Sequence, residues 1–499
     1  MIRRPPRSTQ GVSSAASDVY KRQDITLFSA NLLFLILASK RGITALLTIF
    51  CKFKHIYLFN MKNYLFFFCL ISGSLFSQHI LPLRERAKVI DEIQKYRIEE
   101  LLPQLMEEEN LDMWVLITRE YNEDPVVKTL LPPTWLNARR RTILVFSKTN
   151  EGVDAVAITR YNFGRNIRSI WNKEKQPDQW KALADYIKTQ NPKRIGVNTS
   201  EHYGIADGLA KTDYDGMIAV LPSHLQKRVV SAETLAVRWI ETRTPIEMII
   251  FNQLVEITHN IISEAFSTHV ITPGVTTTDD VVWWMREKVL ALGLKTWFQP
   301  TIDVQRTGKS DLYAFDGKSK FNIILPGDLV HCDFGISYLT LNTDCQELAY
   351  VLKPKENDAP DFLKEALRQG NAVQDHLTDN FKKGRTGNET LRMAIADSKA
   401  NSLRPQIYTH PLGLYGHSAG TTFGMWDSQE GIPGSGDHPL YENTAYAIEL
   451  NTKVFIPEWD KDIRVMLEEA GFYGPKGFRY VNGRQKEMIL IGSKTSHLE

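Results

Sequence analysis

The stretch 331–346, HCDFGISYLTLNTDCQ, carries two aspartates, Asp333 and Asp344, each beside a cysteine, Cys332 and Cys345, in mirror order around a turn-like middle. Two strands joined through Ser337 to Thr340 would make a hairpin with Asp333 opposite Asp344 and Cys332 opposite Cys345. Opposed residues share a sheet face and neighbours along a strand alternate between faces. The aspartates therefore fall on one face and the thiols on the other. Facing carboxylates repel unless a cation lies between them, and a divalent metal is the expected answer. The cysteines are expected as small, buried, free residues on the core side. A cross-strand bridge is the alternative in an oxidising compartment.

More candidate ligands follow. LYGHSAGTTFG sets His417 in a glycine-flanked turn, where backbone can approach a metal closely. AYAIELN holds Glu449 inside an apolar, strand-like run, and DIRVMLEEAGFY holds Glu468 and Glu469. A carboxylate among Ala, Ile and Leu is costly to bury without a partner. His331, two residues before Asp333, shares its strand face. His410, in YTHPLGLYGH, can reach the site from its loop. Both are candidates for catalytic roles.

The pieces GDLVHCDFG, NTDCQ, GHSAG, AIELN and RVMLEE, in this order, resemble the metallopeptidase family of methionine aminopeptidase, aminopeptidase P and prolidase, with its pita-bread fold. Carried over by motif, the resemblance implies Asp333, Asp344, His417, Glu449 and Glu468 as metal ligands. Glu468 is preferred over Glu469 because the family has a Glu followed by a second acidic residue. The resemblance covers roughly 241–491, and the region before it suits the amino-terminal domain of the aminopeptidase P and prolidase branch. It implies hydrolysis of small peptides, of the Xaa-Pro aminopeptidase or prolidase type.

The chemistry agrees with that reading. Four carboxylates and an imidazole favour hard or borderline divalent ions, Mn²⁺ first, with Co²⁺, Fe²⁺ or Zn²⁺ also suited. Bridging carboxylates suit two ions about 3.5–4 Å apart, which lower the pKa of a shared water so that a bridging hydroxide can attack the peptide carbonyl. Glu449 is the candidate to carry a proton towards the leaving amine.

The match also has gaps. Relatives have two further histidines around the substrate. Residues 296–330 contain none, and Trp426-Asp427 stands where the second would follow. The arginine before the last Glu is displaced to Arg464. Trp426, Asp427 and Arg464 are therefore the candidate substrate contacts. The alternatives are a binding module without catalysis and a creatinase-like amidinohydrolase.

Working outward, the chain has 499 residues, 43% hydrophobic and 24% charged, enough for more than one ordinary core. A formal net charge of +2 gives no argument for a nucleic-acid partner. Residues 1–60 read as upstream sequence outside the native protein, adapter-like over 1–23, and 61–77 as a signal peptide. That implies a secreted or periplasmic protein without a stable membrane span in the mature chain. Alternating helices and strands predict an α/β domain over 78–238; the resemblance implies that this domain is creatinase-like and that 239–499 is the pita-bread domain. Thr244-Pro245 marks the start of a long amphipathic helix, and TTTDD the start of another. A homodimer is left open.

Overall fold

Apolar alternation builds the first half of the chain. The computed structural model describes residues 80–308 and 322–492, so the expected leader and everything before it lie outside the described residues. Helix α1 (Leu83–Tyr96) continues through a π-turn at Arg97–Leu101 into α2 (Leu102–Glu108). Strands β1 (Met113–Arg119), β2 (Arg141–Thr149), β3 (Gly152–Ala157), β4 (Arg168–Ser169), β5 (Ile195–Val197) and β6 (Val229–Ser231) form one mixed sheet in the order β4-β3-β2-β1-β5-β6.

Strand β1 is apolar at nearly every position because both of its faces are covered. Met113, Val115 and Ile117 pack with α3 (Gln179–Gln190) and α4 (Lys211–Val220). Trp114 and Leu116 pack with α2 and with α5 (Glu233–Glu241) on the other side.

Helix α6 (Pro245–Ala265) begins where the sequence predicts it. The Thr244 hydroxyl accepts from the Glu247 amide, the Glu247 carboxylate accepts from the Thr244 amide at 2.8 Å, and Pro245 fills the first turn. Helix α7 (Thr278–Ala291) starts with the same reciprocal cap between Thr277 and Asp280. The α5–α6 corner is tied to the first helices by Arg97. Its guanidinium donates to the carbonyls of Trp239 (2.8 Å) and Thr242 (2.7 Å) and to Glu247 (3.0 Å), all buried.

The second half contains four smaller sheets. Strands β7 (Lys295–Thr296), β8 (Thr301–Gln305), β9 (Leu329–Phe334), β10 (Ile336–Tyr338), β11 (Leu341–Asn342) and β12 (Cys345–Val351) come first. After α8 (Asp361–Thr378) and α9 (Gly387–Ala400) come β13 (Pro405–Ile407), β14 (His410–Leu412), β15 (Thr444–Ala447), β16 (Leu450–Ile456), β17 (Lys461–Leu467), β18 (Ala470–Gly474), β19 (Gly477–Tyr480) and β20 (Ile489–Ile491). The sheet orders are β20-β12-β9-β8, β11-β10-β7, β13-β16-β17 and β14-β15-β18-β19. No described helix is long and apolar enough to cross a membrane.

The hairpin of 331–346 forms, but in a different register from the expected one. Asp333 stands opposite Gln346, and Cys332 opposite Glu347. The turn contains only Leu339 and Thr340, both at positive φ (49° and 70°), flanked by the pairs Tyr338–Leu341 and Ser337–Asn342. Such a two-residue turn matches the natural twist of a hairpin. It moves the ladder by two residues, so each side chain keeps its face. The aspartates still share one face, offset diagonally. Cys332 and Cys345 are fully buried free thiols on the other.

Removing one partner of a buried ion pair leaves an uncompensated charge, at a cost of about 3–5 kcal/mol. Arg97→Ala is therefore expected to lower the urea midpoint by the equivalent of that amount. Burial raises the Glu247 pKa, but Arg97, Arg243 and the Thr244 amide more than reverse this, leaving it below the usual carboxylate range. Its contribution to stability is present at neutral pH and is lost as pH falls through that depressed value. Unfolding curves at neutral and acidic pH check both statements.

Candidate metal centre

Both ladders around the site break where the acidic residues stand. On one side, β11 ends at Asn342 and β12 begins at Cys345, leaving Asp344 in the gap opposite Gly335. Only glycine fits there, because a Cβ on Gly335 would lie 2.2 Å from the Thr343 carbonyl oxygen. On the other side, β15 pairs with β18 and β16 with β17 in one common antiparallel register. The break between them leaves Glu449 facing Glu468, and Ile448 facing Glu469. The two ladders meet where Gln346 and Glu468 exchange backbone hydrogen bonds of 2.9 and 3.2 Å.

This arrangement converges four carboxylates and one imidazole. One oxygen each of Asp333, Asp344 and Glu468 lies within 4.8 Å of the other two. His410 Nε2 is 3.6 Å from Glu468, 3.9 Å from Glu449 and 4.0 Å from Asp344. His410 Nδ1 lies 2.9 Å from the Pro411 carbonyl oxygen. A carbonyl can only accept, so Nδ1 carries the proton and Nε2 presents its lone pair to the carboxylates. Burial lowers the pKa of His410, which keeps the ring neutral. Burial first, and then the neighbouring acids, push Asp344, Glu449 and Glu468 well up, and burial also raises Asp333.

Asp333 Oδ1, Asp344 Oδ1, Glu468 Oε1 and His410 Nε2 are buried without a hydrogen-bond partner. Lone pairs crowded together in this way fit divalent cations and little else. Asp333, Asp344, His410, Glu449 and Glu468 are the residues able to hold them.

The other candidates are placed differently. His417 is exposed at the rim, yet a ring nitrogen lies within 4.8 Å of donor atoms of Asp344 and His410; its ring is 4.8 Å from that of His410 and 5.2 Å from that of Trp297. Burial of its ring nitrogens, then His410, lowers its pKa to about 4, so it is neutral at pH 7. The loop carrying it is braced by Tyr415, whose hydroxyl donates to the Pro125 carbonyl at 2.7 Å. Trp426 and Asp427 are exposed on the turn between Met425 and Ser428, and the Trp426 carbonyl accepts from Gln406. Arg464 lies about 13 Å along its strand from Glu468, with its backbone held by the Gln305 side chain at 2.7 and 2.9 Å. Glu469 points away from the cluster, towards His259 (2.9 Å) and the Gln485 amide (2.8 Å).

His331 acts through Gln346 rather than at the cluster itself. The Gln346 side-chain amide donates to Glu449 (2.6 Å) and to Glu468 (2.9 Å), leaving its oxygen to accept from His331 Nε2 at 2.9 Å. His331 Nδ1 lies 4.0 Å from Asp303. Gln346 orients two acids at once, a role with no motif to announce it in the sequence.

Groups that orient metal ligands are worth about 10–100-fold in affinity. Gln346→Leu is expected to weaken Mn²⁺ binding by about that factor, and His331→Leu by less. His410→Ala is expected to remove at least one bound ion, while His417→Ala retains both. Calorimetric titration and elemental analysis of the four variants check this order.

Residues 250–481 match metallopeptidase family M24. No curated protein matches the chain. Solved structures share the fold at low identity. The X-Pro aminopeptidase from Thermotoga maritima MSB8 is 15% identical with a TM-score of 0.56, the match covering 78% of this chain and 99% of that one. A variant of Escherichia coli aminopeptidase P is 13% identical with a TM-score of 0.52, covering 80% and 95%. The Xaa-Pro dipeptidase from Bacillus anthracis is 17% identical with a TM-score of 0.50, covering 82% and 100%. The converging acids and His410 thus lie within a matched family segment and on a shared fold: the chain carries a metallopeptidase family M24 domain of pita-bread architecture.

Proposed function

We propose that the protein is an exported peptidase acting on small Xaa-Pro peptides, with two divalent ions held by Asp333, Asp344, His410, Glu449 and Glu468. The observation carrying this reading is the set of orphaned buried donor atoms directed at one another. His410 is taken as the imidazole ligand because its Nε2 faces three of the carboxylates; His417, given that role from its motif, lies at the rim within 4.8 Å of Asp344 and His410. Bound there, divalent ions supply Lewis acidity towards a peptide carbonyl and make water a better nucleophile.

The chain's own groups do the rest. Gln346 pins one oxygen of Glu449 at 2.6 Å, leaving the other to hold a proton and pass it to the leaving amine. Neutral His417 is placed to hydrogen-bond the peptide. The edge-to-face pair of Trp297 and His417 offers an aromatic wall on which a proline ring can pack. The names of the structural neighbours agree with this substrate class. Export rests on the leader-like segment 61–77, and a division into two domains near residue 238 rests on the change from one mixed sheet to four smaller ones.

The absence of histidine from 296–330 favours a second reading, a metal-binding module without peptidase activity. One experiment separates the two. Protein loaded with Mn²⁺, Co²⁺, Fe²⁺ or Zn²⁺ is assayed on Xaa-Pro dipeptides and on longer peptides with proline second. Cleavage that is abolished by a chelator and restored by metal is expected. Metal binding without cleavage of either substrate class would leave the module reading in its place.

A further inference from the structure

A second group of donors lies across the sheet from the carboxylate cluster. Cys345 and Glu347 alternate with Gln346 along β12, so they face α6 rather than the cluster. From α6, His259 reaches down to them. Its Nε2 is 2.9 Å from Glu469 and 4.0 Å from Glu347. Donor atoms of His259, Cys345 and Glu469 lie within 4.8 Å of one another.

The side chains of two members of the group have no hydrogen bond among the described residues. The Cys345 thiol is fully buried and free. Glu347 is 8% exposed, and its carboxylate lies 4.0 Å from His259 Nε2. A buried carboxylate and a buried thiol directed at the same imidazole are poorly explained as packing.

We propose that His259, Cys345, Glu347 and Glu469 form a separate metal site, suited to Zn²⁺. One thiolate, one imidazole and two carboxylates are a borderline-soft set that zinc binds tetrahedrally. Bonds of about 2.0–2.3 Å place tetrahedral donors roughly 3.3–3.8 Å apart, so the separations of up to 4.8 Å among His259, Cys345 and Glu469 need shifts of about 1.5 Å or less. His259 Nδ1 lies 3.3 Å from the Asn482 amide. A flip of that amide would let its oxygen accept from Nδ1–H, the tautomer that frees Nε2 for a metal. The site would clamp α6 to the back of the sheet that carries Asp333 and Asp344.

Sulfur makes the test specific, because the carboxylate cluster contains none. The full chain, stripped by chelation, is titrated with Co²⁺. A near-ultraviolet sulfur-to-cobalt charge-transfer band saturating at about one equivalent is expected. The band should vanish in Cys345→Ser, persist in Cys332→Ser, and need about tenfold or more Co²⁺ in His259→Ala or Glu347→Gln. It should also persist in His410→Ala, so this site and the carboxylate cluster can fail independently. Absence of the band from the unaltered protein overturns the proposal without recourse to any variant, as does a band that survives Cys345→Ser.

Discussion

Everything around the site depends on one electrostatic constraint: four carboxylates, Asp344 and Glu468 buried and Asp333 and Glu449 half-buried, converge within a few ångströms, facing a neutral imidazole. Among the described residues, they are met by His410 and Gln346 and by no lysine or arginine ion pair. Arg97 and Arg243 are committed to Glu247 at the α5–α6 corner. The acids can stay buried only by holding protons or by sharing divalent ions. Burial, and then repulsion from one another, pushes Asp344, Glu449 and Glu468 well above the usual carboxylate range. Acid would therefore compete with metal, since each ligand must release its proton before it can bind.

The backbone yields to this constraint in a regular way. The register is the same on both sides of the break at Glu468–Glu469. These neighbouring carboxylates therefore point to opposite sides of the sheet, as neighbours along a strand do, one to His410 and the other to His259. A single pair of adjacent glutamates thereby serves two chemically different environments.

Much of this was legible in the sequence, and the limits have physical causes. The capped starts of α6 and α7 are local, and Thr244-Pro245 and TTTDD announce them plainly. The apolar runs of β1 and β2 gave the first sheet. The hairpin was visible but its register was not, because Leu339 and Thr340 adopt positive φ without the glycine or asparagine that usually signals it. A two-residue slip preserves faces, so the pairing of the aspartates on one face survived the error. His417 was picked out by its glycine context, a local cue. The place of His410 beside Glu449 depends on the pairing of β14 with β15, which no local cue gives. Gln346 carried no cue at all, since an amide becomes informative only once its partners are known.

Gln346 also bears on the order of folding. Its backbone exchanges hydrogen bonds with Glu468, and its side chain holds Glu449 and Glu468, across 103 and 122 residues of chain. Contacts so distant in sequence form late, because the loop between them must close before any of them is rewarded. Neither ladder alone can present the five donors, so a partly folded chain would have little claim on metal. Ions that bind only the finished structure would draw the population towards it by mass action. Metal supply would then set how much of the newly made chain completes its fold, as well as how much of it is active.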